Sequence, residues 1–181
     1  MQKTKPTIRQ IESGDIPQIV GAFKKLGWNK PASQYEHYLL EQKLDRRNVY
    51  VAFVEDRFAG YLTVCWVSTY EPFYSAGIPE IVDFNVLPEF RRQGIGSALM
   101  DVAESAIALV NRVAGIGVGM TADYGPAQRL YVLRGYVPDG RGLYYRNHPT
   151  VHGEQVTVDD DLVLCFTKEL KTISVATERS L

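Results

Sequence analysis

Residues 91–100 read "RRQGIGSALM": two arginines, two glycines separated by one residue, then the first turn of an apolar helical pattern. The preceding stretch, "PEIVDFNVL" (79–87), has the content of a strand. The following one continues a helix, with Ile95, Leu99, Val102, Ala103, Ala106 and Leu109 predicted to face inward. A strand, a glycine turn and a helix direct successive backbone N–H groups, and the positive end of a helix dipole, at one spot, which suits a pyrophosphate. Gly94 and Gly96 admit positive φ and keep side chains out of the way, while Arg91 and Arg92 supply local charge. Two other phosphate motifs fail. A P-loop needs wider glycine spacing and a lysine; the dinucleotide pattern breaks at Leu99, where its third glycine would stand, and "GIGVGM" (115–120) lies inside a strand rather than after one.

The rest of the chain bounds what such a loop can serve. With 181 residues, 45% of them hydrophobic and 23% charged, the sequence fits a single domain over residues 1–181 with a sizeable core. Twenty basic and 21 acidic residues give a net charge of -1, so no global field recruits nucleic acid or an anionic membrane, and anion binding must be local. The longest apolar run, Ala106 to Met120, is interrupted by Asn111, Arg112 and three glycines. The opening "MQKTKPTIRQ" has no apolar signal core, so a cytoplasmic protein is expected. Cys65 and Cys165 each sit in a β-rich apolar run and read as buried reduced thiols. His148 and His152 are four apart, but Pro149 and Gly153 oppose a helix there, so no metal is expected.

The predicted order of elements is β, α, α, β, β, β, α, β, α, β, β: a mixed α/β (α+β) fold with a largely antiparallel sheet, helices on both faces and one βαβ crossover. A first strand spans Thr7 to Glu12, a helix begins at Asp15 with Ile16, Ile19, Val20 and Phe23 as its stripe, and Pro31 opens a second helix. Strands "NVYVAFVED" and "RFAGYLTVCWVSTY" make a hairpin turning near Asp56 and Arg57. Alternation along the next strand puts Val82, Phe84 and Val86 on one, core, face and Ile81, Asp83, Asn85 and Leu87 on an unusually polar one. In "VAGIGVGMTA" the glycines 115, 117 and 119 share a face, which lets something approach the backbone.

The wider sequence "VLPEFRRQGIGSALM" resembles the acetyl-coenzyme A binding motif of the GNAT N-acetyltransferase superfamily, Gln/Arg-x-x-Gly-x-Gly/Ala, with Arg91, Gly94 and Gly96 in register. A second stretch, "AQRLYVLRGYVPDG", is similar to that family's Ala-x-x-Leu-Tyr-x-x-x-Gly-Phe/Tyr helix through Ala127, Leu130, Tyr131, Gly135 and Tyr136. The resemblance implies the GNAT fold and an acetyl-CoA-dependent N-acetyltransferase. It places the pyrophosphate on the amides of Gln93, Gly94, Ile95, Gly96 and Ser97, and the pantetheine arm beside the backbone of Val86. Tyr124 stands where many members carry an asparagine that bonds this arm, and Arg134 replaces an apolar residue and is expected to face water.

Acetyl transfer from a thioester needs a neutral amine, a stabilised oxyanion and a proton for the departing thiolate. A free alkylamine with pKa ~10.4 is mostly protonated at neutral pH, so a base or a desolvating pocket must help. Asp83 and Glu80 are the candidate bases, Tyr131 matches the family's acid, and a backbone N–H near Val86 is the oxyanion donor. The acceptor should approach from "GWNKPASQYEHY" and "STYEPFYSAGIP", rich in aromatics (Trp28, Tyr35, Tyr38, Tyr70, Phe73, Tyr74) but without a strong acidic cluster. The expected acceptor is a primary amine of a small molecule, attacking directly in a ternary complex. A protein N-terminus or lysine is the alternative acceptor, and a non-catalytic acyl-CoA sensor the alternative function. Exposed strand edges are compatible with a homodimer.

Overall fold

Hydrophobic periodicity, turn residues and helix caps divide the chain much as expected, and the computed structural model, which describes residues 5–171, shows how the pieces assemble. In chain order they are β1 (Thr7–Gln10), α1 (Ile16–Lys25), α2 (Ala32–Lys43), β2 (Arg47–Val54), β3 (Arg57–Cys65), α3 (Glu71–Ala76), β4 (Glu80–Val86), α4 (Ile95–Ala108), β5 (Val113–Gly119), α5 (Gly125–Leu133), β6 (Val137–Tyr145), β7 (His148–Pro149) and β8 (Leu162–Glu169). The strands form one mixed sheet in the order β1-β2-β3-β4-β5-β8-β6-β7, in which only β4 and β5 run parallel. A parallel pair needs a crossover, and α4 supplies it.

Strand β3 is buried at every position from Phe58 to Val64, so both faces of the sheet are covered there. Tyr61 packs edge-on against Phe23 of α1 and Tyr35 of α2, and α4 lies against the other face. Helix α4 buries Ile95, Leu99, Met100, Ala103 and Ile107, whereas Leu109, expected inside, lies beyond the helix end and is exposed. Two elements escaped the sequence reading. Helix α3 is a six-residue turn inside "STYEPFYSAGIP", too short for a 3.6-residue period to show. The two-residue β7 pairs only with the end of β6.

Two departures from simple strand patterning shape the site. Tyr61 pairs with Asn85 and Thr63 with Val82, so two residues of β4, Asp83 and Phe84, oppose the single Leu62. This is a β-bulge, and Asp83 takes φ 50° within it, a left-handed backbone that L side chains adopt rarely. The bulge interrupts the alternation, and burial does not follow the expected faces. Ile81 and Leu87 are the fully buried positions, whereas Val82, Phe84 and Val86 are half-buried, because a cleft runs over the Val82 and Phe84 stretch.

The second departure is an opening. The β4–β5 ladder consists of Glu80↔Gly115 and Ile81↔Ile116, after which β5 continues beside β8 while β4 diverges. What approaches the glycine face of β5 is aromatic. A Cβ on Gly115 would lie 2.4 Å from the Phe73 ring, and one on Gly119 would lie 2.5 Å from the Tyr124 ring, so both glycines are required by packing. Gly117, between them, faces the cleft, with Glu80 Oε1 and Cys165 Sγ each 3.8 Å from its Cβ position.

Candidate active site

The loop from Arg91 to Gly94 forms a tight turn into the N-terminus of α4. Arg92 and Gly94 both take positive φ, 59° and 87°, and Gly94 is the N-cap of α4. The first backbone bond into the helix is Ala98 N–H to Gly94 O at 3.0 Å, which leaves the amides of Ile95, Gly96 and Ser97 pointing outward as the free donors of a helix N-terminus. Gly96 admits the close approach of helix and strand: a Cβ there would stand 3.1 Å from Phe84 Cζ. The Gln93 side chain braces the turn by donating to Glu89 O at 2.8 Å.

Val86 leads from this loop into the cleft. Leu87 N–H donates to Ala59 O on β3, so by the alternation of an antiparallel ladder Val86 presents its own N–H and C=O toward the opposite edge, where β5 has already diverged. The carbonyl accepts from Arg91 Nε at 3.1 Å. The N–H faces the opening, where an extended ligand can pair with strand backbone.

The cleft itself has a volume of about 540 Å³ and takes its walls from elements far apart in sequence. Trp28 and Lys30 come from the α1–α2 loop, Glu80 and Asp83 from β4, Tyr124, Ala127 and Tyr131 from α5 and the turn before it, and Asn147 and Asp160 from the loops beyond β6. Of the aromatics flagged in the sequence, Trp28 and Tyr70 reach the cleft. Tyr35 and Phe73 are core, and Tyr74 is exposed.

The two candidate carboxylates are placed very differently. Asp83 is surrounded by donors: Lys30 Nζ at 2.6 Å and Asn85 Nδ2 at 2.9 Å on Oδ1, with Tyr61 Oη at 2.5 Å, Gln34 Nε2 at 2.7 Å and Tyr38 Oη at 2.9 Å on Oδ2. Five donors occupy the lone pairs a base would use. They also tie α2, the α1–α2 loop and β3 to the strained bulge residue.

Glu80 is 9% exposed and accepts one side-chain bond, from Ser68 Oγ at 2.5 Å on Oε2. Ser68 is held in turn by accepting Tyr70 N–H at 2.9 Å, at the start of α3. Burial pushes the Glu80 carboxyl above the usual glutamate range, with Ser68 and the charge of Arg47 pulling the other way. Oε1 faces Gly117 across the cleft floor.

Tyr131 is 4% exposed and lines the same cleft, and its hydroxyl has no hydrogen-bond partner among the described residues. Burial holds its pKa well above that of an exposed tyrosine, so it stays protonated. Tyr124 packs on Gly119 and donates to Asp160 Oδ1 at 3.0 Å; burial and this bond push its pKa up to about 12. Both cysteines are free, and burial raises Cys65 to about 11 and Cys165 to about 12. Cys165 lines the cleft, which its sequence position did not reveal, but as a thiol rather than a thiolate.

Arg134 departs most clearly from expectation. Its side chain is 14% exposed and does not face water freely: it forks onto Glu104 (Nε–Oε1 and Nη2–Oε2, both 2.9 Å), reaches Asp101 at 2.7 Å, and donates to Ser97 O at 3.3 Å. Lys168 of β8 closes the network on Glu104 at 2.7 Å. The acids responsible lie on α4, thirty residues away in sequence, so the local pattern around "LRG" could not show them. Arg134→Met is expected to lower stability by about 1–2 kcal/mol, less than for a fully buried pair because Lys168 still neutralises Glu104. Chemical denaturation at low and high salt measures it, and an unchanged midpoint would mean that the network adds nothing to stability.

The comparisons with known proteins agree with this geometry. A sequence profile described as an Acetyltransferase (GNAT) domain matches residues 45–138. No curated protein matches the chain. Among solved structures, an N-acetyltransferase from Staphylococcus aureus Mu50 is similar at TM-score 0.68, with 16% identity, covering 92% of this chain and 99% of that one. An acetyl transferase from Salmonella typhimurium that modifies the N-terminal serine of ribosomal protein L7/L12 gives TM-score 0.67, 14% identity, and 93% and 96% coverage. A spermidine N-acetyltransferase chimera from Vibrio cholerae and hSSAT gives 0.64, 16%, and 91% and 95%. At these identities the likeness establishes the fold alone. Among the described residues no cluster of metal-ligating side chains occurs, and no helix is long and apolar enough to cross a membrane.

Proposed function

The chain belongs to the GNAT acetyltransferase family, and from that premise we propose that it moves an acetyl group from acetyl-CoA to a primary amine of a small molecule by direct attack. One observation carries this reading: a buried carboxylate of raised pKa, Glu80, and an unpartnered buried hydroxyl, Tyr131, line one cleft where the sheet opens behind an anion-binding loop. The family's donor is acetyl-CoA, and this chain's residues fit it. The amides of Gln93 to Ser97 with Arg91 and Arg92 would hold the pyrophosphate, and Val86, Tyr124 and Ala127 would flank the arm.

When bound, acetyl-CoA supplies an activated acyl carbon and a thiolate leaving group. Glu80 takes a proton from the amine, directly or through water, as the C–N bond forms, and the Val86 N–H meets the developing oxyanion. Tyr131 gives its proton to sulfur as the C–S bond breaks, and solvent returns the proton from Glu80 to Tyr131. Both thiols are held protonated by burial, which supports direct attack over an acetyl-cysteine. Asp83 acts as the anchor of the bulge and of the α1–α2 loop rather than as the base.

A small acceptor is favoured over a peptide because residues from separate loops, Trp28 and Lys30 from the α1–α2 loop and Asn147 and Asp160 from those beyond β6, bound the cleft. A single-domain, cytoplasmic chain that needs neither nucleic acid nor membrane, alone or as a homodimer, completes the proposal. Free thiol released from acetyl-CoA in an amine-dependent manner, across small amines, amino acids, aminoglycosides and peptides, tests it. Tight CoA binding with no release for any acceptor would convert the reading to an acyl-CoA sensor.

A further inference from the structure

The carboxylate assigned to proton transfer is held by a residue that no sequence motif marks. Ser68 lies in the turn between β3 and α3 and is 3% exposed. Its hydroxyl carries one hydrogen and is engaged in both directions: it accepts Tyr70 N–H at 2.9 Å and donates to Glu80 Oε2 at 2.5 Å. The Tyr70 bond belongs to the backbone at the entry to α3, so it fixes the hydroxyl and aims its hydrogen at the carboxylate. Oε2 is thereby occupied. Oε1 has no hydrogen-bond partner among the described residues and stands 3.8 Å from the Cβ position of Gly117, which has no side chain to cover it.

The other groups around Glu80 leave this task to Ser68. Arg47 of β2, Cys65 of β3 and Glu80 stand in one cross-strand row, but Arg47 spends its bonds on Glu41 Oε2 at 2.5 Å and Thr63 Oγ1 at 2.7 Å and reaches Glu80 through its field alone. Cys65 and, from β8, Cys165 are thiols kept protonated by burial and by the Glu80 charge. On β5 the neighbours are Gly115, which pairs with Glu80, and Gly117. Tyr70 Oη is turned to Asp139 Oδ2 at 2.7 Å, Tyr131 of α5 is a neutral phenol, and Asp83, further along β4, is paired with Lys30. Asp123 and Asp160 accept from Thr121 and Tyr124.

A carboxyl that goes on accepting at Oε2 takes its proton on Oε1, because a proton on Oε2 would meet the serine hydrogen and break the bond. Resting on the transferase reading above, we infer that Ser68 is a positioning residue, which holds Oε2 and directs the amine proton to Oε1 on the cleft side. In the step it serves, the amine nitrogen bonds the acetyl carbon and the thioester C–S bond breaks. The amine proton goes to Oε1, and the sulfur takes the Tyr131 proton. A hydrogen bond to the charged form lowers proton affinity, so Ser68 also opposes the rise that burial imposes on Glu80. The same hydroxyl ties the base to the backbone of Tyr70, which lines the cleft.

Ser68→Ala makes the test. The acidic limb of its kcat/KM profile is expected to move up by about one pH unit while KM for acetyl-CoA stays within about two-fold, and Ser68→Thr, which keeps the hydroxyl, returns the limb to its wild-type place. A serine that served α3 alone would lower the melting temperature and leave the limb where it was. Ser68→Cys, whose sulfur accepts from Tyr70 N–H but donates weakly, moves the limb in the same direction and carries the test where alanine prevents folding. Carbon-13 resonance of labelled glutamate carboxyls reads the shift without turnover, the Glu80 signal being assigned by its loss in Glu80→Gln. No turnover with any amine but a shifted Glu80 titration would overturn the transferase reading and keep Ser68 as the holder of Glu80. An unmoved titration in both the alanine and cysteine proteins, or a stably folded threonine protein that titrates like alanine, would overturn the role of Ser68.

Discussion

Tyr131→Phe is expected to lower kcat for acetyl transfer by about 10²-fold or more while leaving acetyl-CoA affinity within about two-fold. The substitution removes one oxygen and keeps the ring, which packs against the core near Tyr136 at a centroid distance of 6.1 Å. That oxygen makes no hydrogen bond among the described residues, so folding loses no bond when it goes, and the variant should melt at or slightly above the wild-type temperature. Loss of rate without loss of stability or binding separates a proton donor from a packing residue. Thiol release under saturating acetyl-CoA, equilibrium binding of CoA and a thermal melt are the three measurements. An unchanged kcat would reduce Tyr131 to a half of an aromatic pair.

The place of Tyr131 at the cleft was legible in the sequence because it stands in a short motif on one helix, and helix periodicity fixes which way such a motif points. The tight turn before α4 was legible for the same reason: Gly94 and Gly96 act through their own backbone. What the sequence concealed depends on pairing between distant segments. The bulge at Asp83 exists because β3 supplies one residue where β4 supplies two, and no pattern within "PEIVDFNVL" reveals that count. The glycine face of β5 announced a close approach but not its agents, which are Phe73 from a helix too short to read and Tyr124 from the following turn. Arg134 looked like a solvated charge because its acids lie on α4.

The division of labour between the carboxylates follows from the same distinction. Glu80 was a candidate for its offset from Arg91 at the glycine loop, and Asp83 for its place on the polar face of the strand ahead of Val86. Their environments decide between them. Asp83 pairs with a lysine and is saturated with donors, so its oxygens hold the α1–α2 loop to the bulge. Glu80 has lost water without gaining comparable partners, and a carboxylate in that condition holds a proton more tightly than an exposed one.

Glu80→Gln is accordingly expected to reduce kcat/KM by about 10²–10³-fold and to abolish the acidic limb of its pH profile. In the wild type, activity falls as pH drops through the raised Glu80 value, because only the ionised carboxylate accepts the amine proton; the glutamine variant has no such group, and its residual rate follows the amine alone. Stability moves in the opposite sense. Burial raises the carboxyl in the folded chain above its unfolded value, so its contribution to stability is full below the ordinary glutamate value of ~4.3 and is lost as pH rises through the raised one. Above that window the buried anion is a cost that glutamine does not carry, while the glutamine oxygen still accepts from Ser68. The variant should therefore melt no lower than the wild type at pH 8, with its relative advantage shrinking toward pH 4. A variant that loses activity and stability together would show that Glu80 holds the floor of the cleft in place, whereas one that keeps its rate would move the proton transfer to water or to Asp83.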